Sequence, residues 1–193
     1  MKYITVLFLF ISVSVFGQRL QQGQKLWSAS NPLEIANFKM KINDTENEAL
    51  YSQFSMSYQV SGFSFLSKNF NQKILNIFLG EASWINETIL ENQQAQLAFQ
   101  QLQFDLSEVY TRKFRKQALI EKKKVLKGFD HLQVISNKLM SEFSQERALL
   151  IKETESGRNT QKLSEWKERI QGKLNDLNEF RYENKKKIKI ARP

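Results

Sequence analysis

The sequence of 193 residues contains no cysteine and only one histidine. The lack of cysteine excludes thiol nucleophiles, disulfide bonds, iron–sulfur clusters and cysteine-based zinc sites. The single histidine excludes every site that needs two imidazoles from the same chain. Proline is absent between Pro32 and Pro193, and glycine is scarce after residue 87, so little interrupts a helix in that part of the chain.

The remaining composition is that of a folded, basic domain. Hydrophobic residues make up 41% of the chain and aromatic residues 12%, which suffices for a buried core and argues against wholesale disorder. The length fits one domain, with or without a tail. Lysine and arginine number 29 against 20 acidic residues, and the resulting net charge of +9 favours anionic partners.

The N-terminal segment has the pattern of a secretory signal peptide. Lys2 precedes a nearly unbroken apolar run over residues 4–16, and we predict cleavage after Gly17, which makes residues 1–17 the signal peptide. The run is shorter than the roughly 20 residues of a transmembrane helix, although an uncleaved anchor is the alternative. An exported chain without cysteine indicates the periplasm or the exterior of a Gram-negative bacterium, with no stable transmembrane segment after cleavage.

The rest of the chain shows strand patterns first and helix patterns afterwards. Apolar and polar residues alternate over residues 56–65, and residues 33–38 and 73–79 are further strand candidates. From about residue 87, glutamine, glutamate, lysine and leucine dominate, and these are good helix formers. This order predicts an α+β fold, a small antiparallel-rich sheet followed by three or four helices. We expect a flexible leader at 18–30, a single domain at 31–182 and a basic tail at 183–193.

The clearest helix pattern lies near the C-terminus. Its apolar positions recur in steps of three and four residues, which gives one apolar face. They are Leu163, Trp166, Ile170, Leu174 and Leu177. Upstream, Gly157 is placed to end the preceding helix, and Asn159 or Thr160 to cap the next one.

Two segments carry a resemblance to a known family. The first is residues 97–116, and its matching positions are Gln101, Phe104, Asp105, Leu106, Glu108, Arg112 and Lys113. The second runs from Glu153 and Thr154 through Gly157 to Gln161 and Trp166. The chain resembles an uncharacterised family of secreted bacterial envelope proteins that are predicted to be zinc peptidases of the zincin type. The resemblance covers roughly residues 30–180 and implies a zincin-like fold.

The family's catalytic motif is missing at the matching positions. In a His-Glu-x-x-His motif, two imidazoles one helical turn apart bind zinc, and the glutamate acts as general base. Here these positions hold Phe99, Gln100 and Gln103, and a later family histidine falls at Ser156. Phenylalanine cannot bind a metal, and glutamine has no ionisable oxygen to take a proton. The resemblance therefore implies a pseudo-metallopeptidase that has no metal, cofactor or catalytic residue and acts by binding.

Several residues have two interpretations. Glu108 is either a remnant of a metal or polar network or a solvated or salt-bridged helix residue. Phe99 either fills the space of the lost metal site as a core residue or lines a retained apolar groove. Asp105 and Arg112 could share a helix face, and a solvated ion pair is the simpler expectation. His131 matches no motif position and fits the surface of a helix.

The partner is expected to be an unknown protein or an anionic component of the envelope. The lysine runs at residues 122–124 and 185–187 are either solvated faces or a patch for anionic lipid or lipopolysaccharide. Nucleic acid is not an expected partner, because export separates the chain from it and no nucleic-acid motif is present.

Three functions compete at this point. The first is the binding protein without a catalytic centre. The second is a basic helical periplasmic chaperone or adaptor, which binds proteins or anionic envelope polymers through projecting coiled-coil helices. The third is an active hydrolase that uses Asp105, Glu108 and Glu153 as acid and base. Strands packed across the helix at 97–116 would argue against the second.

Overall fold

A computed structural model describes residues 20–43, 49–58, 70–88, 93–128 and 130–189. The predicted signal peptide at 1–17, residues 59–65 of the strand predicted at 56–65 and residues 190–193 of the predicted tail lie outside the described residues. Six strands precede four helices in the described ranges, which confirms the α+β layout. None of the helices in these ranges is long and apolar enough to cross a membrane.

The strands are short and the helices are mostly long. The strands are β1 (Gln24–Leu26), β2 (Met40–Ile42), β3 (Leu50–Tyr51), β4 (Phe54–Tyr58), β5 (Ile74–Leu79) and β6 (Trp84–Asn86). The helices are α1 (Gln93–Ile120), α2 (Lys122–Lys127), α3 (Asp130–Glu153) and α4 (Thr160–Asp176). The 3₁₀ turns include Ile35–Asn37 and Asn178–Phe180.

The strands form two small sheets where we predicted one. In the first sheet β5 lies between β1 and β4, and both pairings are antiparallel. In the second sheet β6 lies between β2 and β3, and β2 runs parallel to β6. The strand predicted at 33–38 is wrong, because the Asn37 carboxamide accepts a hydrogen bond from the Glu34 backbone at 2.8 Å and closes a 3₁₀ turn.

The N-terminal segment is part of the domain, so the flexible leader predicted at 18–30 is wrong where the structure describes it. β1 pairs with β5, and the backbone N–H of Trp27 donates to the Asn76 carbonyl at 3.0 Å. The Trp27 indole N–H also donates to Asp105 Oδ1 at 2.8 Å, and the side chain is buried. One large apolar side chain thus anchors a segment whose other residues are mostly polar.

Helix α1 is the centre of the fold. More than half of its 28 residues are buried, and it contacts β3, β4, β5, α3 and α4. Phe104 on α1 stacks on Phe54 of β4 with ring centroids 5.2 Å apart, and Phe54 also meets Phe143 of α3. Strands therefore pack across the helix at 97–116, and α1 does not project from the domain.

The predicted C-terminal helix is confirmed as α4. Trp166, Ile170 and Leu174 are buried, and Leu163 and Leu177 pack against the same core. The prediction that Asn159 caps α4 is confirmed, because its side chain accepts from the Lys162 backbone at 3.1 Å. Gly157 lies at φ +86° in the turn after α3, but the end of α3 is closed by Glu155 and Ser156, whose backbone N–H groups donate to the carbonyls of Lys152 and Ile151.

Candidate functional site

The three positions that match the zinc motif are packed inside the domain. Phe99, Gln100 and Gln103 are 1%, 2% and 1% exposed. The Gln100 amide donates to the Leu50 carbonyl at 2.9 Å, and the Gln103 amide donates to Gln100 Oε1 at 3.1 Å. Arg147 Nε donates to Gln103 Oε1 at 2.7 Å. Phe99 is thus a core residue, the first of its two interpretations, and both glutamines serve as internal hydrogen-bonding groups.

The fourth matching position, Ser156, lies beside the same stretch of α1. Its carbonyl accepts from the Gln96 amide at 3.2 Å, and its backbone has φ +57°. A Cβ on the adjacent Gly157 would lie 2.8 Å from Cβ and Cγ of Phe99. The turn after α3 and the N-terminal half of α1 are therefore in direct contact, and the Phe99 ring fills the space between them.

Glu108 is salt-bridged, as one of its interpretations predicted, and it is buried. Its Oε1 atom accepts from Arg112 Nε at 3.0 Å and from Arg115 Nη1 at 2.9 Å. Arg115 also donates twice to the Ile74 carbonyl, at 3.0 and 2.7 Å, and once to the Phe180 carbonyl at 2.8 Å. Burial lowers the pKa of Arg115, and the neighbouring Glu108 opposes that shift. This network joins α1 to β5 and to the 3₁₀ turn after α4.

Asp105 does not pair with Arg112, contrary to the sequence expectation. Its Oδ1 atom accepts from the Trp27 indole at 2.8 Å and from the Gln101 amide at 2.7 Å. Burial raises the pKa of Asp105, although both hydrogen bonds act in the opposite direction. The Arg112 guanidinium lies over the Trp27 ring, 5.2 Å from its centroid.

The three carboxylates of the hydrolase hypothesis have separate partners. Asp105 bonds to Trp27 and Gln101, Glu108 bonds to two arginines, and Glu153 accepts from the Trp166 indole at 2.9 Å. Within the described part of the chain, no three His, Asp or Glu side chains are grouped so that they could hold one metal ion.

His131 lies at the rim of a cleft of about 580 Å³ between α1, α3 and the end of α4. Its side chain is 25% exposed, as expected for a helix surface, and Nε2 lies 2.5 Å from Glu121 Oε2. Glu121 also accepts from Gln117 and Lys124, and these three hydrogen bonds, that from Gln117 foremost, lower the pKa of Glu121 to about 2.

The cleft combines an apolar floor with lysine side chains. Ile135 and Leu139 contribute to the floor, while Lys113, Lys116 and Lys138 line the walls. The Lys113 ammonium lies 4.1 Å from the centroid of the Tyr110 ring. Burial lowers the pKa of Lys113, and among the described residues no carboxylate lies within ion-pair distance of it. Lys113 is therefore a partly desolvated cation that an anion would stabilise.

Further lysines continue from the cleft onto α2. Together they form what we call the lysine corner, which consists of Lys113, Lys116, Lys122, Lys123, Lys124, Lys127 and Lys138. Glu121 and Asp130 are the acidic residues in the same stretch of chain, and Glu142 and Asp176 also line the cleft. Glu142 Oε1 lies 4.0 Å from Lys138 Nζ. Three large apolar side chains are exposed among these lysines, with Ile120 at 48%, Leu126 at 46% and Val134 at 62%.

The sequence indicated part of this surface and missed the rest. The run at 122–124 was visible as a candidate basic patch, but the cleft exists only because three helices converge on it. The sequence marked Lys113 only as a position that matches the family pattern, and nothing in it indicated a partly buried lysine beside the Tyr110 ring. The chain matches no family model, no curated protein and no solved structure.

Proposed function

We propose that the chain is an exported protein that acts by binding and not by catalysis, on a zincin-like scaffold that has lost its metal centre. Its binding surface is the lysine corner, and its partner is an anionic lipid surface of the bacterial envelope. One observation carries this proposal. Between residues 113 and 138 the chain carries seven lysines and three exposed apolar side chains against two acidic residues, and two more acidic residues, Glu142 and Asp176, line the adjoining cleft.

The loss of catalysis rests on the positions that match the zinc motif. A catalytic zinc site needs protein ligands that converge on the metal and leave one position open for water or substrate. Here a phenylalanine ring packs against Gly157, and the two glutamines bond to Leu50, to each other and to Arg147. Metal analysis of the purified chain tests this part. Stoichiometric zinc together with peptidase activity would contradict it.

The choice of lipid over a soluble polymer rests on the apolar side chains. A soluble anionic polymer would bind through the lysines alone. Ile120, Leu126 and Val134 are exposed apolar side chains, and their burial in the acyl region of a bilayer would be favourable. Each lysine near an anionic membrane contributes about 1 kcal/mol. Screening by salt should weaken this attraction, because the Debye length falls to about 3 Å at 1 M.

The chaperone alternative loses its main support. It requires helices that project and present free faces, but α1 is enclosed by β3, β4, β5, α3 and α4. The apolar stripe of α4 is likewise directed to the core.

Flotation with vesicles tests the membrane proposal. The full mature chain should float with vesicles of phosphatidylglycerol and phosphatidylcholine and remain behind with phosphatidylcholine alone. In the triple variant Lys122→Glu, Lys123→Glu, Lys127→Glu, binding should fall by more than about a hundredfold, given about 1 kcal/mol for each lysine. These three lysines are exposed, and the variant leaves the hydrogen bonds of Glu121 in place.

A second triple variant is the matched control. Lys185→Glu, Lys186→Glu, Lys187→Glu changes the net charge by the same amount on exposed residues elsewhere. Equal losses in both variants would show that net charge alone, and not the lysine corner, drives binding. Binding to soluble anionic polysaccharide but not to vesicles would replace lipid by a polymer as the partner. Export has its own test, since the mature chain should begin at Gln18 by intact mass.

A further inference from the structure

A second cavity, of about 520 Å³, lies on another side of α1 from the lysine corner. The segment at 27–32 forms one wall, α1 forms the base, and the end of α4 with the residues after it forms the other wall. The volume is within the usual range for small-molecule sites, about 300 to 1,000 Å³. Its lining is mostly polar, and its charged members are Asp105, Arg112, Arg181 and Glu183.

One end of this cavity presents a carboxylate with a free oxygen. Both hydrogen bonds to Asp105 reach Oδ1, and among the described residues Oδ2 has no partner. The two donors, Trp27 and Gln101, fix the carboxylate, and Gln101 is itself fixed because it accepts from the Leu33 backbone at 2.7 Å. Burial raises the pKa of Asp105 more than its two hydrogen bonds lower it. A positively charged hydrogen-bond donor on a ligand could bind to the free Oδ2 atom of Asp105.

The other end presents guanidinium groups. Arg112 donates from Nε to Glu108 and from Nη1 to the Leu174 carbonyl at 2.7 Å, which leaves Nη2 without a partner in the described part of the chain. Glu108 bonds to both Arg112 and Arg115, so these three side chains together carry one positive charge, and Glu183 is a further acidic residue near them. Arg181 lines the same cavity, and its guanidinium bonds only to the Asn178 carbonyl among the described residues. This end therefore favours a carboxylate.

We propose that this cavity binds an amino-acid zwitterion, with its ammonium on Asp105 Oδ2 and its carboxylate on Arg112 Nη2 and Arg181. Trp27 separates the two ends, because its indole N–H bonds to Asp105 while Arg112 lies over its ring. The proposal does not depend on the lysine corner, and either can fail without the other.

The spacing of the two ends sets the length of the ligand. Asp105 and Arg112 are seven residues apart on one helix, so their Cα atoms lie about 10 Å apart along the axis. Side chains that reach toward each other shorten this span, but an indole ring remains between them. We therefore expect a ligand whose ammonium and carboxylate are separated by several carbon atoms to bind more tightly than glycine.

A homologous series of probes measures this directly. Glycine, β-alanine, 4-aminobutyrate and 6-aminohexanoate are titrated into the full mature chain, and the indole N–H resonance of Trp27 reports binding by NMR. The N-acetyl and carboxamide derivatives of the tightest member should each bind at least about tenfold more weakly, because each removes one charged hydrogen-bonding group. Asp105→Asn should abolish the difference between the free and the N-acetylated probe, and Arg181→Gln should reduce the difference between the acid and the amide.

Three outcomes would overturn the proposal. The Trp27 resonance could be unmoved by every member at millimolar concentration, or the blocked derivatives could bind as tightly as the free probe. A neutral sugar could also shift the resonance when no amino acid does, which would assign the cavity to hydroxylated ligands. The comparison of free and blocked probes uses the unaltered chain, so it decides the matter even if a variant does not fold.

Discussion

Glu108 and Arg115 form an ion pair of 2.9 Å in the interior of the domain, with side chains 1% and 0% exposed. They lie seven residues apart on α1, and Arg112 shares the same carboxylate oxygen. Removal of one partner from a buried pair leaves a charge that neither water nor protein compensates. The carbonyls of Ile74 and Phe180 are the other acceptors for Arg115, so the pair also joins three distant segments.

Glu108→Gln should destabilise the protein by about 3 to 5 kcal/mol, because two buried guanidinium groups lose the carboxylate that pairs with both of them. Chemical denaturation measures the change. Glu165→Gln is the control, since Glu165 pairs with Lys162 at the surface and should change stability little. If the two variants were equally stable, the Glu108 network would have no net structural role.

Gly157→Ala should destabilise the protein by at least about 1 to 2 kcal/mol, because a left-handed backbone is unfavourable for alanine. The new Cβ would also lie 2.8 Å from Cβ of Phe99, so the cost should exceed that of the backbone alone. Gly172→Ala is the same substitution on an exposed position of α4 with nothing within 4 Å. It should stabilise by about 1 kcal/mol, so thermal melting should show changes of opposite sign.

Stability should fall between pH 4.5 and about 2 through Glu121, whose pKa is lowered to about 2 by hydrogen bonds from Gln117, Lys124 and His131. A lowered pKa means that the folded state favours the charged form, so stability is present above the unfolded value and lost as the carboxylate takes its proton. Glu121→Gln should flatten this part of the pH profile in melting experiments. The exposed Glu168→Gln is the control, and a profile unchanged in both variants would contradict the prediction.

Asp105→Asn should be at least as stable as the unaltered chain at pH 7. Burial raises the pKa of Asp105, so its charge opposes folding above that pKa, and the asparagine removes this opposition. Its side-chain oxygen can still accept from Trp27 and Gln101. The advantage should disappear at acid pH, where the aspartate is neutral as well. A variant that is less stable at pH 7 and equally so at acid pH would show that the charge is not the cause.

Local patterns predicted the elements that depend on neighbouring residues. The spacing of Trp166, Ile170 and Leu174 predicted α4, and Gly157 and Asn159 predicted the turn before it. These features succeed because a helix face and its caps are determined within a few residues. The strand at 73–79 was predicted for the same reason and corresponds to β5.

Features that depend on distant partners were missed. Trp27 is anchored by a residue 78 positions away, and Arg115 bonds to a carbonyl 65 positions away. The sequence held a signal for each of them. A tryptophan in an otherwise polar leader suggests an anchor, and Glu108, Arg112 and Arg115 recur at helical spacing on a face that also carries Phe104 and Leu97. The two cavities had no comparable signal, because their walls come from segments far apart in the chain.

The contacts that residues 179–184 make with Asn71 and Arg115 determine when folding can be completed. Asn71, just before β5, donates to the carbonyls of Glu179, Arg181 and Asn184, more than a hundred residues later, so the predicted basic tail at 183–193 is docked at its start. Arg115 likewise depends on a later residue, because its guanidinium donates to the Phe180 carbonyl. A growing chain that stops short of residue 180 therefore holds a buried cation and a buried amide without these acceptors. Residues 179–184 therefore decide whether the sheet and helices that precede them become one stable unit.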